Sequence, residues 1–300
     1  MIVCGTDFSP ASDCTLQCAA AFARKQNKDL LLVHVLDRDE AKARDAAELR
    51  LEEDAKTLRH DFAISVETSV MQGHADEQLL AVAMQRAASL LVVGAEGTRK
   101  RRLGGVPERL CQAGTIPVLV ARTAEGLEAW SRQKRPLRVL VGSGLGDASR
   151  CALRHVSTWS ELALTVAHIA WPFGEHYRLG PMPLDHLRPE VHHHLMDDLG
   201  RWASHTPCAS TTKLRVIAGW GRIDSHLAQL ADEKAADLLV VGSHRRNLAE
   251  RVWHGSISRS AIHEATCNVL CVPDAVVPTV VGAAPRVAVM PSTPVASTPI

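Results

Sequence analysis

The strongest constraint on this chain is that it repeats itself once, in the same order. Residues 5–16, GTDFSPASDCTL, align with 142–153, GSGLGDASRCAL. LLVHVL (31–36) aligns with TVAHIA (165–170), which places His34 on His168. AASLLVVG (87–94) aligns with AADLLVVG (235–242), and TIPVLV (115–120) with TCNVLC (266–271). The offset drifts between 134 and 151 residues while the order of segments holds, as loop insertions require. A single repetition of roughly 130 residues is a duplicated domain, because solenoid units are only ~20–50 residues long. Three hundred residues give room for two hydrophobic cores.

Each copy reads as β-α-β-α-β-α-β-α-β. In the first, MIVCGT is a short apolar strand; Ser9 is placed to cap a helix, with Pro10 at its first position and Asp13 in its first turn. DLLLVHVL is continuously apolar, as a strand covered on both faces must be. A charged helix, the strand FAISVETSV, a helix from Ala75, the strand LLVVGA, the short helix PERLCQAG and the strand IPVLVA complete the copy. The second copy repeats this plan, so the boundaries are 1–122 and 137–273, joined by a linker at 123–136. Residues 274–300, rich in Pro, Ala, Val and Thr, read as a disordered tail in which RVAVM can add an edge strand. Strands alternating with helices predict an α/β fold of two doubly wound parallel five-stranded sheets. In strand order 3-2-1-4-5 the winding reverses between strands one and four, and ligands bind at the C-terminal ends there.

Composition narrows the function classes. A net charge of +1 gives no electrostatic case for nucleic acid or an anionic membrane. No apolar run approaches the ~20 residues of a spanning helix. The start, MIVCGTDFSP, lacks a basic segment followed by a long apolar one, so the expectation is a cytoplasmic protein. The eight cysteines include no C-x-x-C pair and read as small buried thiols rather than metal ligands.

The strands LLVVG open into glycine loops. In the second copy Gly242 is followed after two residues by Arg245, and nine residues later by Gly255-Ser256. This resembles the nucleotide-binding loop G-x2-G-x9-G-(S/T) of the universal stress protein family. TDFSPAS after strand one, the HV of strand two and the closing PVLV are similar to that family too, over nearly all of residues 1–273. The chain is thereby identified as a tandem two-domain member, with the adenine-nucleotide alpha-hydrolase-like fold. The resemblance implies ATP or a related nucleotide as ligand, with no metal beyond the Mg2+ that accompanies it, and a stress-response role without classical catalysis. It also implies pairing of the two copies through their last strands as an intramolecular pseudo-dimer, and it leaves a homodimer open.

Carried over residue by residue, the base and ribose positions are Asp7 and Val35 in the first copy, Gly144 and Ile169 in the second. The phosphate positions are Gly94 and Gly97 in the first; in the second they are Gly242, Arg245, Gly255, Ser256 and Ile257. Backbone N–H groups at residues 255–257 would start a helix, where unpaired donors and the dipole favour phosphate. Neither copy is intact. The second has Arg245 for the second glycine and Gly144 for the aspartate. The first keeps Asp7 but has only six residues between Gly97 and Gly104, Gly105 for the hydroxyl residue, Pro107 in the first helical turn, and Glu108 where phosphate should go. The nucleotide is therefore expected in the second copy.

Plainer readings stand beside these. The glycines can be turn punctuation, Asp7 can bond to its own turn, and RKRR (99–102) and Arg245-Arg246 can be solvated loops. Three successive histidines in VHHHL (191–195) diverge by ~100° each on a helix and share no face, which argues against a metal. His34 and His168 are expected to be packed and hydrogen-bonded. SGLGDAS (143–149) partly matches the S-G-G-x-D-S loop of ATP pyrophosphatases, but Leu145 and Ala148 break that pattern. Two alternative functions remain open: an interaction scaffold without nucleotide, and a slow ATP hydrolase or phosphotransferase. The insertion at 171–190 is expected to cover the mouth of the second site.

Overall fold

The computed structural model describes residues 1–37, 41–95, 105–170, 189–206, 213–220, 223–243 and 261–274. The first copy runs β1 (Ile2–Thr6), α1 (Ser12–Gln26), β2 (Leu30–Leu36), α2 (Ala41–Phe62), β3 (Val66–Gln72), α3 (Ala75–Gln85), β4 (Leu90–Gly94), α4 (Val106–Ala113) and β5 (Val118–Ala121). Helix α5 (Glu125–Ser131) follows. The second copy runs β6 (Leu137–Gly142), α6 (Asp147–Ser157), β7 (Leu162–Ala170), α7 (Pro189–Ser204), β8 (Lys213–Trp220), α8 (Ile223–Glu233) and β9 (Leu238–Ser243). A helical turn at 261–264 and β10 (Asn268–Pro273) close it.

Strand order is β3-β2-β1-β4-β5-β10-β9-β6-β7-β8. Each half is thus 3-2-1-4-5 with parallel pairing throughout, as the alternation of strands and helices predicts. The halves meet where β5 pairs with β10 antiparallel, Val120 opposite Val269 and Leu119 opposite Leu270. Pairing through the last strands, expected from the sequence, is what the structure has. Two otherwise exposed apolar edges become the centre of one ten-stranded sheet.

Successive strand residues enter opposite layers. Ile2 and Cys4 enter the core layer that holds Phe22, Leu51 and Trp130 on one face; Val3 enters the layer that holds Leu79 and Leu110 on the other. Half-buried Gly5 and its counterpart Gly142 have the same reason for being glycine. A Cβ would stand 2.7 Å from Leu79 Cδ1 at the first and 2.6 Å from Leu227 Cδ2 at the second.

The structure adds to one expectation and corrects another. The segment read as a linker carries α5, and its Leu127 and Trp130 are fully buried. Trp130 packs edge-on to Phe22 of α1 (5.4 Å between ring centroids) and lies 5.8 Å from Trp159, which follows α6. Phe22 and Trp159 occupy equivalent positions in the two copies and touch each other at 5.2 Å. The connection is therefore part of the core. Second, α1 begins at Ser12, with Ala11 rather than Ser9 as its N-cap. The Ser12 N–H donates to Ser9 O (2.9 Å), closing a turn with Pro10 at its second position, so Pro10 precedes the helix.

Asn268, wholly buried at the start of β10, ties the connection to the second copy. Its Oδ1 accepts the N–H groups of Arg122 (2.8 Å) and Thr123 (3.2 Å). Its Nδ2 donates to Thr123 O (2.8 Å) and Asp237 O (3.1 Å). Asp237 completes the clamp: its carboxylate accepts from both Arg135 Nη atoms (2.6 and 2.8 Å) and from the backbone (3.0 Å) and Nη2 (2.9 Å) of Arg138. Burial alone would raise its pKa, but these donors bring it down to about 2.

Candidate functional site

The reversal of winding falls between β1 and β4 in one copy and between β6 and β9 in the other, and the turn after β1 or β6 is the common feature. The two turns share a backbone. Phe8 (φ 57) and Leu145 (φ 60) occupy the left-handed region at equivalent positions. Thr6 Oγ1 accepts the Phe8 N–H at 3.3 Å, and Ser143 Oγ accepts the Leu145 N–H at 3.1 Å. Each short hydroxyl side chain closes the turn on the residue two positions on, which offsets the cost of a positive φ in a side-chain-bearing residue.

The histidines of the second strands lock the turns to the sheet. His34 Nδ1 lies 2.9 Å from Thr6 O, and His168 Nδ1 lies 2.7 Å from Ser143 O. Phe8 stacks on His34 (4.2 Å), with the Arg50 guanidinium 5.2 Å above its ring. These histidines are packed and hydrogen-bonded, as expected, with their Nδ1 atoms engaged by backbone.

Between the turns, one side chain differs. Asp7 Oδ1 accepts the Ser9 N–H (3.1 Å) and the Ser12 hydroxyl (2.8 Å), so its carboxylate shapes its own loop. At Gly144 the carboxylate is missing, and a Cβ there would meet nothing within 4 Å. Ser149, the counterpart of Ser12, turns its hydroxyl to Gly146 O instead (2.9 Å). The second turn keeps its shape without the carboxylate, and leaves open space in its place.

Val35 and Ile169 stand beside these turns. The β1–β2 ladder ends at Thr6 opposite His34, so Val35 lies one residue past it while still paired to Met71 of β3. The β6–β7 ladder ends at Gly142 opposite Ala167, and Ile169, buried, runs on against β8. Gly94 ends β4 opposite Ala121. Gly242, near the end of β9, passes so close to α6 that a Cβ would lie 2.3 Å from the Ala148 carbonyl carbon and 2.7 Å from Ser149 N. Its glycine is required by packing, whatever binds beyond it. Ser243, next in sequence, has a buried hydroxyl with no hydrogen-bond partner among the described residues.

Gly97, Arg245, Gly255, Ser256 and Ile257 lie outside the described residues, as do RKRR (99–102), Arg246, residues 171–188 of the insertion and the tail from 275. Glu108 is described. Its carboxylate is buried and lies 3.8 Å from His263 Nε2 of the second copy, so its charge is directed at the seam between copies. Sequence reading missed that cross-copy pairing, because only the β5–β10 junction brings α4 to residue 263. VHHHL lies on α7, where His193 and His194 are exposed and His193 pairs with Asp197 (3.5 Å). Among the described residues no group of three or more His, Cys, Asp or Glu side chains is arranged to hold a metal, and no helix is long and apolar enough to cross a membrane. A cavity of about 550 Å3 lies elsewhere, at the ends where the strands begin, lined by Lys25, Lys28, Ser89, Trp130, His155 and Trp159 among others. Burial and the charge of Lys28 push His155 down to about 4 there.

Comparison with known proteins agrees with this geometry. The family model described as universal stress protein family matches residues 1–122 and again 138–273. A universal stress protein from Archaeoglobus fulgidus superposes with a TM-score of 0.66 at 16% identity, covering 91% of this chain and 98% of that one. A functionally unknown protein from Pseudomonas aeruginosa gives 0.63 at 15% identity, with 91% and 92% covered. A putative universal stress protein from the same species gives 0.58 at 15%, with the same coverage. At these identities the likeness is one of fold. No curated protein matches the chain.

Proposed function

Since the chain belongs to the universal stress protein family, with two family domains in tandem, we propose that it is a stress-response protein that binds ATP or a related adenine nucleotide in its second copy, without classical catalysis. The observation that carries this reading is the state of the second switch point. There β6 and β9 end side by side, the turn at Gly144 is open, and the buried Ser243 hydroxyl has no hydrogen-bond partner among the described residues; the G-S pair of residues 255–256 follows in the sequence. In this reading Gly255, Ser256 and Ile257 present backbone N–H groups to the phosphates, Ser256 adds its hydroxyl, and Arg245 adds a cation. Gly242 lets β9 approach α6 so that the loop starts at the switch point. Backbone at Ile169 meets the base.

With no side chain at Gly144, the base is held weakly and the phosphates carry the affinity. ATP and GTP are then poorly distinguished, and affinity falls with salt. Mg2+ enters with the nucleotide. In the first copy Asp7, Val35, Gly94 and Gly97 form the weaker site, because Pro107 removes a backbone donor at the start of α4. Cytoplasmic residence and an assembly of the whole chain into a homodimer belong to the same reading.

Equilibrium dialysis of ATP against the full chain tests it. Binding is expected, and Ser256→Ala weakens it about tenfold, the equivalent of one hydrogen bond of ~1.4 kcal/mol. Absence of binding would leave an interaction scaffold, and turnover above buffer background would make the chain a slow ATP hydrolase.

A further inference from the structure

The chain passes from one copy to the other once, which leaves the halves unequal at the ends where their strands begin. In the second copy the connection lies against those ends. Asn268 Nδ2 donates to Thr123 O (2.8 Å), and both Arg135 Nη atoms donate to Asp237 (2.6 and 2.8 Å). Gly126 of α5 comes so close that a Cβ would stand 2.4 Å from Asp237 Oδ1. The counterparts of Asp237 and Asn268 in the first copy are Ser89 and Pro117. Among the described residues no second connection covers them, and both line the cavity of about 550 Å3. Its other walls come from Lys25 in the last turn of α1, Lys28, Trp130 of α5, and His155 and Trp159 at the end of α6.

We propose that this cavity is a second ligand site, separate from the switch points, and that it takes a monoanion with an aromatic or apolar body. Charge decides the class. Lys25 is already matched, by Glu161 of the second copy (2.5 Å). Lys28 is not. Its ammonium donates to Ser89 Oγ (2.8 Å), which in turn donates to Met1 O (3.2 Å), and no carboxylate lies within ion-pair distance of it among the described residues. Partial burial lowers its pKa, with no acidic neighbour to offset the loss of water. One half-buried, unmatched ammonium calls for one negative charge. His155 adds a neutral donor. Burial and the Lys28 charge push it down to about 4, and its ring stands edge-on to Trp159 (5.6 Å). Thr158 bonds its carbonyl (2.8 Å), while among the described residues nothing bonds its ring nitrogens.

The rest of the lining suits an apolar body. Ala88, Leu90, Ile116 and Pro117 of the first copy and Trp159 of the second offer carbon surface, in a volume ordinary for a small-molecule pocket. A phosphate dianion is the poorer fit, because Lys28 is the one cation on this wall without a counter-charge among the described residues. Both copies contribute side chains, so an occupant adds to the contacts that already hold them together here, the Lys25–Glu161 pair among them. A ligand that binds only the closed pair of copies stabilises that pairing by mass action.

Calorimetric titration of the full chain with phenylacetate, phenylacetamide and acetate tests the site. Phenylacetate should bind about tenfold more tightly than phenylacetamide, which has the body without the charge, and than acetate, which has the charge without the body. Lys28→Met removes the ammonium and keeps the stem. Ser89→Asp sets beside Lys28 the carboxylate found at position 237. Each should weaken phenylacetate to the level of phenylacetamide, leaving phenylacetamide binding and the far-UV circular dichroism unchanged. In proton NMR the His155 C2–H, identified by its loss in His155→Gln, should titrate at higher pH with phenylacetate bound, because an anion beside the ring offsets the Lys28 charge. The proposal is overturned if phenylacetate fails to bind or binds no better than phenylacetamide. It is equally overturned if Lys28→Met and Ser89→Asp leave the affinity unchanged, or if the His155 titration stays where it was. Displacement of phenylacetate by excess ATP would move the probe to a switch point. A chain cut after Asp274 that binds about tenfold more tightly would make residues 275–300 the occupant. Either result also overturns it.

Discussion

The turns after β1 and β6 have the same backbone and different contents. Both close on a short hydroxyl side chain and both hold a non-glycine residue at positive φ. Only the first has a carboxylate, and that carboxylate is bonded to its own loop. The comparison teaches that the backbone of the switch-point turn and the side chain it carries at position 7 or 144 are separable. Sheet order, the His-to-backbone lock and the glycine–leucine contacts hold in both copies, because each is needed to bury the core. The side chain at position 7 or 144 is not, and there the copies diverge. Residues 89 and 237 show the same in reverse. The Ser89 hydroxyl accepts from Lys28 Nζ (2.8 Å) and donates to Met1 O (3.2 Å), whereas its counterpart Asp237 anchors two arginines against the connection.

The comparison can be broken in order of expected effect. Gly242→Ala should be the most damaging single change, since its Cβ meets rigid backbone at Ala148 and Ser149. We expect a loss of about 3 kcal/mol or more in urea unfolding. A neutral result would mean that β9 and α6 are not packed as described, and would return Gly242 to a purely ligand-facing role.

Next comes the Asp237 clamp. Its folded pKa of about 2 lies below the ordinary carboxylate value, so it stabilises the fold fully above about pH 4–5. That contribution, about 2 kcal/mol, is lost as pH falls through the folded pKa. Asp237→Ser, which installs the residue found at position 89, should destabilise at pH 6. The difference from the parent should shrink by pH 2.5. A gap independent of pH would show that the charge does not hold the arginines.

The smallest effects should be equal ones. Gly5→Ala and Gly142→Ala each push a methyl against the end of a leucine side chain, which can give way. Each should cost roughly 1–2 kcal/mol. A large inequality would contradict the claim that the two cores are built alike.

Much of this was legible in the sequence. Runs such as LLLV and LLVVG could only be strands covered on both faces, and the repeat fixed their order by analogy between copies. The apolar edge of IPVLVA demanded a cover, and NVLCVP was the symmetric candidate. The role of α5 was not legible, because EGLEAWSRQK is polar in bulk and its core residues are only Leu127 and Trp130. Asn268 sits where the first copy has Pro117, and nothing local says that its amide bridges two segments more than a hundred residues apart. Gly242 looked like half of a ligand motif, yet its contact with Ala148 exists only once α6 is folded onto β9. The Asp7 position was read from the motif, but its bond to Ser12 depends on the turn that delays α1.

The central claim is that the copy without the carboxylate, and not the copy with it, holds the nucleotide. Titration of ATP into the full chain and into two matched variants, Gly255→Val and Gly97→Val, tests it most directly. The account predicts that Gly255→Val abolishes measurable binding, because a β-branched side chain blocks backbone approach to phosphate, while Gly97→Val binds as the parent does. Binding that survives Gly255→Val and disappears with Gly97→Val would place the nucleotide in the first copy and contradict it.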